Sequence, residues 1–145
     1  MMRDYAEYST LVLRIFFGIA FIIAGLDKVL SFSMAKGMFE GMFGAGLGGF
    51  MIILAIIIEL LCGLALLLGL YTRIAAGILA LMIVVAFIVT FKLGQAPHFV
   101  GILREISVMN TGGGNTAVNF AYFAALLSLV FSGSKVAALK PDSEF

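Results

Sequence analysis

The feature that most constrains this chain is a long apolar run with a single carboxylate inside it. Residues 50–70 read FMIILAIIIELLCGLALLLGL, and Glu59 is the one charged residue among them. As a helix rising about 1.5 Å per residue, the run can cross a hydrocarbon core of ~30 Å. A charge near the middle of such a helix costs roughly 2.5–3.5 kcal/mol on insertion scales. The fold must therefore pair Glu59 with a cation or keep it protonated.

The overall composition places the rest of the chain in a membrane as well. Of 145 residues, 63% are hydrophobic and 12% are charged, whereas a soluble domain carries about 25% charged residues. The net charge of +1 predicts no basic surface for nucleic acid. The single cysteine, Cys62, excludes an internal disulfide and a Cys-x-x-Cys redox site. The lipid bilayer is the predicted partner of the apolar surface of this protein.

Hydropathy predicts one integral membrane domain over residues 1–145 with four spans. They lie at about residues 11–30, 50–70, 74–92 and 116–132. The very short connection between the second and third spans predicts an antiparallel hairpin, and Gly77 is the expected close-approach point of the third. The polar tail after the fourth span, the shortest, is predicted to fray.

The connections at 31–49 and 95–116 are too interrupted to cross the bilayer, and each is predicted to contain a short amphipathic helix at the membrane interface. The apolar side of the first such helix consists of Met38, Phe39, Met42 and Phe43. Four glycines, Gly44, Gly46, Gly48 and Gly49, are expected to break it before the second span. The predicted fold class is therefore all-α, a four-helix transmembrane bundle with two interfacial helices.

The first span carries one face that is suited to helix packing. This face holds Arg14, Gly18, Gly25 and Lys28, which helical spacing brings together. Glycines let a partner backbone approach closely, so the face is predicted to turn toward other helices. It offers Glu59 two cationic partners, Arg14 and Lys28.

Two interpretations of these buried charges remain open. In one, Glu59 and its cation only lock the register of the bundle. In the other, they form a polar pocket that binds a ligand or relays a proton, which is the default for ionisable residues inside a membrane. Further candidates are Arg73, which continues the Glu59 face, and His98, Glu105 and Asn119. Because His98 and Glu105 lack further ligands of suitable type, neither a metal nor haem is predicted.

These features together resemble the DoxX family of small four-helix membrane proteins, including its DoxD-like branch. The resemblance covers about residues 11–139. It rests on RIFFGIAFIIAGLDKVL at 14–30, on the intramembrane Glu59, and on ELLCGLALLLGLYTRIAAGILALM at 59–82. The last helix departs from the pattern, because relatives often open it with a glutamate where Asn119 stands here.

The resemblance implies a role in membrane redox chemistry. Family members are mostly described as candidate membrane oxidoreductases or subunits of such complexes, and the DoxD branch supplies the small subunit of a thiosulfate:quinone oxidoreductase. Membrane thiol enzymes of the vitamin K epoxide reductase type use a cysteine pair, which this chain lacks. Electrons would then pass through a bound quinone or through the cofactor of a soluble or membrane redox partner.

The expected location is a prokaryotic cytoplasmic (inner) membrane. Four spans place both termini on one side, and the basic residues other than Arg14 divide four against four between the two sides. Because Lys36 and Arg104 belong to the interfacial helices, we expect both termini in the cytoplasm.

Three hypotheses about function follow. The first is a quinone-binding oxidoreductase subunit in which Glu59 is the catalytic proton carrier. Arg14 and Lys28 would bind the quinone, and the further ligand-binding candidates are Arg73, His98, Glu105 and Asn119. The second is a proton-coupled transporter or channel for a small solute, which requires a homo-oligomer because the chain shows no inverted repeat. The third is a structural subunit without a ligand.

Overall fold

The structure is a computed structural model that describes residues 2–90, 99–100 and 116–142, with side chains described at 7–89, 99–100 and 121–142. Five helices are named in the described residues, and no β-strand occurs among them. They are α1 (Met2–Leu30), α2 (Phe32–Phe43), α3 (Ala45–Leu68), α4 (Thr72–Thr90) and α5 (Thr116–Ser132). The predicted all-α class is confirmed.

Three helices have the length and hydropathy of membrane spans: Glu7–Leu30 within α1, Ala45–Leu68 as the whole of α3, and Thr72–Val89 within α4. The chain is therefore a multi-pass membrane protein. The predicted fourth span corresponds to α5, whose described apolar stretch, Ala121–Ser132, is shorter. A short helix can cross where the bilayer thins locally. The predicted arrangement of four spans therefore requires that α5 crosses the bilayer in this way.

The helix predicted within residues 31–49 is present as α2. Of the segment 95–116, where a second such helix is predicted, the structure describes only residues 99–100, which are helical, and residue 116, where α5 begins. The boundary between α2 and α3 corrects one expectation. Only Gly44, whose φ is 86°, interrupts the chain, and α3 begins at Ala45 rather than near residue 50. Gly48 lies inside α3, and a glycine is needed there because the backbone of α2 occupies the space of a side chain: a Cβ would lie 2.5 Å from the Cα of Glu40.

The glycine-bearing face of α1 packs on α3, as predicted. A Cβ on Gly18 would lie 2.9 Å from the carbonyl oxygen of Gly63, and a Cβ on Gly63 would lie 3.0 Å from the carbonyl oxygen of Gly18. A Cβ on Gly25 would meet Leu60 at 2.9 Å. The two backbones thus touch, and α1 runs antiparallel to α3.

The apolar core joins α1, α3, α4 and α5. Its fully buried side chains include Leu66, Leu79, Leu126 and Leu129. In α4 the close packing is made by buried alanines at 75, 76 and 80. Gly77 is not the close-approach point that was predicted, because a Cβ there would lie 3.8 Å from its nearest neighbour, an ordinary contact.

Residues 133–142 fold back onto the α3–α4 turn, so the prediction of a fraying tail is wrong for this segment. The amide of Leu139 donates to the carbonyl of Leu68 at 2.9 Å, and that of Lys140 donates to Gly69 at 3.2 Å. Lys135 lies 3.8 Å from Glu7 near the start of α1. The N-terminal part of α1 and this segment therefore lie at the same end of the helix bundle.

Candidate functional site

Glu59 forms an ion pair with Lys28. The lysine Nζ lies 2.8 Å from both carboxylate oxygens. Glu59 is buried at 4% exposure in α3, and Lys28 stands in the last turn of α1. The absence of a side chain at Gly25 lets the helices approach here, since a Cβ there would lie 3.4 Å from the Cβ of Glu59. The prediction that a cation on α1 pairs with Glu59 is confirmed for Lys28.

Arg14, the other predicted partner, binds backbone carbonyls instead. Its fully buried guanidinium donates to two carbonyls in the last turn of α3, Leu66 at 3.1 Å and Leu67 at 3.5 Å. It also donates to Val136 at 2.8 Å and Ala137 at 3.1 Å. The last carbonyls of a helix lack intrahelical partners and carry partial negative charge. Arg14 therefore joins the end of α3 to the C-terminal segment, and the structure does not bring it to Glu59.

A cavity of about 580 Å³ adjoins the Lys28–Glu59 pair. This volume falls in the range of ~300–1,000 Å³ that is typical of small-molecule sites. The described residues that line it come from all five helices: Phe21, Lys28, Met38, Phe39, Met42, Phe43, Met51, Leu54, Ala55, Ile58, Glu59, Met82, Ile83, Val85, Ala86 and Tyr122. Among them only Lys28, Glu59 and Tyr122 carry a charged or hydroxyl group, so the site is an apolar chamber with a few polar groups.

Four of the described methionines line this chamber, and none of them was predicted as part of a site. Met38 and Met42 come from α2, Met51 from α3 and Met82 from α4. The apolar side of α2 was recognised from its spacing, but it was expected to face the membrane interface. Here it forms a wall of the cavity. Because methionine side chains are flexible and polarizable, such a wall adapts to apolar ligands of different shape.

The remaining candidates lie elsewhere or are not described. Arg73, at the start of α4, is near the C-terminal segment: a Cβ on Gly133 would lie 2.8 Å from its Nε and 3.1 Å from a carboxylate oxygen of Asp142. It is not among the described residues that line the cavity. His98 and Glu105 lie outside the described residues, as does the side chain of Asn119. No group of three His, Cys, Asp or Glu side chains that could hold a metal ion occurs among the described residues.

Comparison with known proteins shows the family of the chain. The family model DoxX matches residues 9–93. A Bacillus subtilis (strain 168) protein named "Putative oxidoreductase CatD" is 31% identical over 140 residues, which cover 97% of this chain and 90% of the relative. A Haemophilus influenzae (strain ATCC 51907 / DSM 11121 / KW20 / Rd) protein named "Uncharacterized protein" is 32% identical over 146 residues, covering 99% and 96%. No solved structure matches the chain. The matched segment contains Arg14, Lys28 and Glu59, and the chain belongs to the DoxX family.

Proposed function

We propose that this protein is a subunit of a membrane oxidoreductase and that it binds a quinone in the cavity beside Lys28 and Glu59. The observation that carries the proposal is the position of the ion pair in the wall of an apolar chamber between helices of membrane-spanning length. Quinones are apolar rings with hydrogen-bond acceptors at their carbonyls, so they suit such a site. The name of the Bacillus relative supports the oxidoreductase class.

Lys28 is the residue that would contact the quinone carbonyl. Its ammonium has three donors. Two contact the Glu59 oxygens at 2.8 Å, and the third reaches the carbonyl of Ala24 only at 3.4 Å, so a quinone carbonyl would replace this longest contact. A cation at this position stabilises the negative charge that develops on oxygen during reduction. Arg14 has no part in the proposed site, because its guanidinium is held by backbone carbonyls.

Glu59 is the residue that would move protons. Reduction of a quinone to a quinol takes up electrons and protons in equal number. In the proposal a redox cofactor of a partner protein supplies the electrons, and Glu59, when protonated, transfers a proton to the carbonyl oxygen and is then reprotonated. Lys28 beside it stabilises the carboxylate between transfers. A partner chain is therefore part of the proposal, as is a location in the cytoplasmic membrane with the termini in the cytoplasm.

The lining of the cavity favours a quinone over a hydrophilic solute. A path for a polar solute needs several hydrogen-bonding groups along its length, and the described lining offers them only around Lys28, Glu59 and Tyr122. The transporter hypothesis therefore has less support than the oxidoreductase hypothesis.

The proposal is tested by the quinone content of protein purified gently from its own membranes. We expect near-stoichiometric quinone in organic extracts of the wild type and a large loss in Glu59→Gln. Glu40→Gln is a matched control, since Glu40 pairs with Lys36 at 3.5 Å on α2 and does not line the cavity. Absence of quinone from folded wild type, or equal content in all three proteins, would contradict the proposal.

A further inference from the structure

The polar groups of the cavity are concentrated at one end of it. Along α3 the lining runs from Glu59 through Ala55 to Met51, a distance of ~12 Å at 1.5 Å per residue. Beyond Ala55, the described lining on α3 is apolar, and α2 faces it with Met38, Phe39, Met42 and Phe43. A planar ring held at the Lys28–Glu59 end would leave this apolar end unfilled.

The apolar end is also the more exposed end. Glu59 is 4% exposed and the side chain of Lys28 is 23% exposed, whereas three lining residues from different helices are more open: Met38 of α2 at 60%, Leu54 of α3 at 36% and Val85 of α4 at 36%. Leu54 and Val85 belong to helices of membrane-spanning length. Because helices of this kind are surrounded by hydrocarbon, the exposed lining residues of α3 and α4 lie where lipid can reach them.

From these two observations we propose that the ligand of the cavity carries a hydrocarbon tail of the prenyl type and enters sideways from the bilayer. This inference rests on the proposed function, and it names the class of quinone that the site accepts. The ring lies at Lys28 and Glu59. The tail follows the methionine- and phenylalanine-lined wall of α2 and leaves between α2, α3 and α4. Quinones without a tail fill only the polar end and bind more weakly.

The tail and the ring can be tested separately by variants at the two ends of the cavity. Binding of two tritiated quinones is measured by scintillation proximity on protein in nanodiscs: menadione, which has no tail, and its prenylated counterpart. The signal from empty nanodiscs is subtracted, and the quinone concentrations are expressed per lipid. Met42→Trp fills the apolar end with a larger side chain. Met34→Trp is its matched control, because Met34 also lies on α2, is 69% exposed and is absent from the cavity lining.

We expect Met42→Trp to weaken binding of the prenylated quinone by on the order of tenfold, equivalent to about 1.4 kcal/mol, and to weaken menadione binding much less. Met34→Trp should bind both quinones as the wild type does, and Glu59→Gln should bind both weakly. Leu54→Trp, on the α3 wall of the cavity, should repeat the effect of Met42→Trp. Size-exclusion profiles and helical circular dichroism establish that each variant is folded.

The other outcomes separate the two proposals. If both quinones bind and require Glu59, but Met42→Trp and Leu54→Trp leave the prenylated quinone unaffected, the tail inference is overturned and the proposed function stands. If neither quinone binds, but tritiated palmitate binds and is lost in Met42→Trp, the site accepts a tail and the quinone function fails. If none of the three probes binds above empty nanodiscs, both proposals fail.

Discussion

At the scale of single residues, two cations on one face of α1 have different tasks. Lys28 neutralises a buried carboxylate beside a cavity, and Arg14 binds carbonyls at the end of α3 and in the C-terminal segment. Helical spacing predicted that the two cations share a face. It could not predict their different partners, because every residue has a backbone carbonyl and the sequence does not show which carbonyls are available as acceptors.

The ion pair is expected to be replaceable as a structural element but not as a functional one. Lys28→Met should lower the free energy of unfolding by up to roughly 3–5 kcal/mol, because it leaves Glu59 buried without its cation. The double variant Lys28→Met/Glu59→Leu should recover most of that loss and still fail to bind quinone. Unfolding is measured by titration with SDS in mixed micelles. A double variant that keeps full function would show that the pair is only a packing lock.

Arg14 is expected to be irreplaceable by lysine. A lysine keeps the charge, but it lacks the planar fork that reaches four carbonyls on two segments. Arg14→Lys should therefore release residues 133–142, seen as faster amide hydrogen exchange at Leu139 and Lys140. Lys135→Gln is the control, since its pair with Glu7 is part-exposed and is worth about 0–1 kcal/mol. Unchanged exchange in Arg14→Lys would contradict the assigned role.

At the scale of helices, the packing of α1 on α3 was the best-predicted part of the fold. Small residues on one helical face mark a close approach in a membrane, and Gly18 and Gly63 meet as that rule requires. The beginning of α3 was mispredicted for a related reason. Glycines in a sequence predict a break in a helix, but Gly48 lies inside α3, where its missing side chain lets α2 pack against the backbone.

Two glycines offer a matched test of this packing. Gly18→Ala should lower the free energy of unfolding by roughly 1–3 kcal/mol through overpacking, since its Cβ would lie 2.6 Å from Leu67 Cγ. Gly41→Ala in α2 should raise it by about 0.5–1 kcal/mol through helix propensity, since nothing lies within 4 Å of a Cβ there. Both are measured by SDS titration. Equal effects of the two substitutions would count against the close contact of α1 with α3.

At the scale of the whole molecule, the fold determines where the ends of the chain lie. The bonds of Arg14 to Val136 and Ala137 hold residues 133–142 beside α1, and the Glu7–Lys135 pair lies at the same end of the bundle. The basic residues in the sequence divide evenly and could not decide which side of the membrane that is. A polar pocket beside Glu59 was one of two interpretations of the sequence. The apolar walls of the cavity were not predicted, because they come from five helices whose relative placement depends on tertiary packing.

The proposed topology predicts the behaviour of fusions to the C-terminus. A green fluorescent protein attached after residue 145 should fluoresce, because it folds in the cytoplasm, and alkaline phosphatase at the same place should be inactive. A fusion within the α3–α4 turn should behave like the C-terminal one, because Leu70 pairs with Lys140. Active phosphatase at the C-terminus would reverse the predicted orientation.

The central claim is that the cavity beside Lys28 and Glu59 binds quinone. The measurement that tests it most directly is photolabelling with a prenylated azidoquinone, followed by mass spectrometry of the modified peptides. We predict adducts on the cavity residues around the ring position, such as Lys28 and Tyr122, which excess unlabelled quinone prevents and Glu59→Gln abolishes. Adducts confined to lipid-facing residues such as Ile57 and Leu61, 47% and 63% exposed, and insensitive to competitor would contradict it.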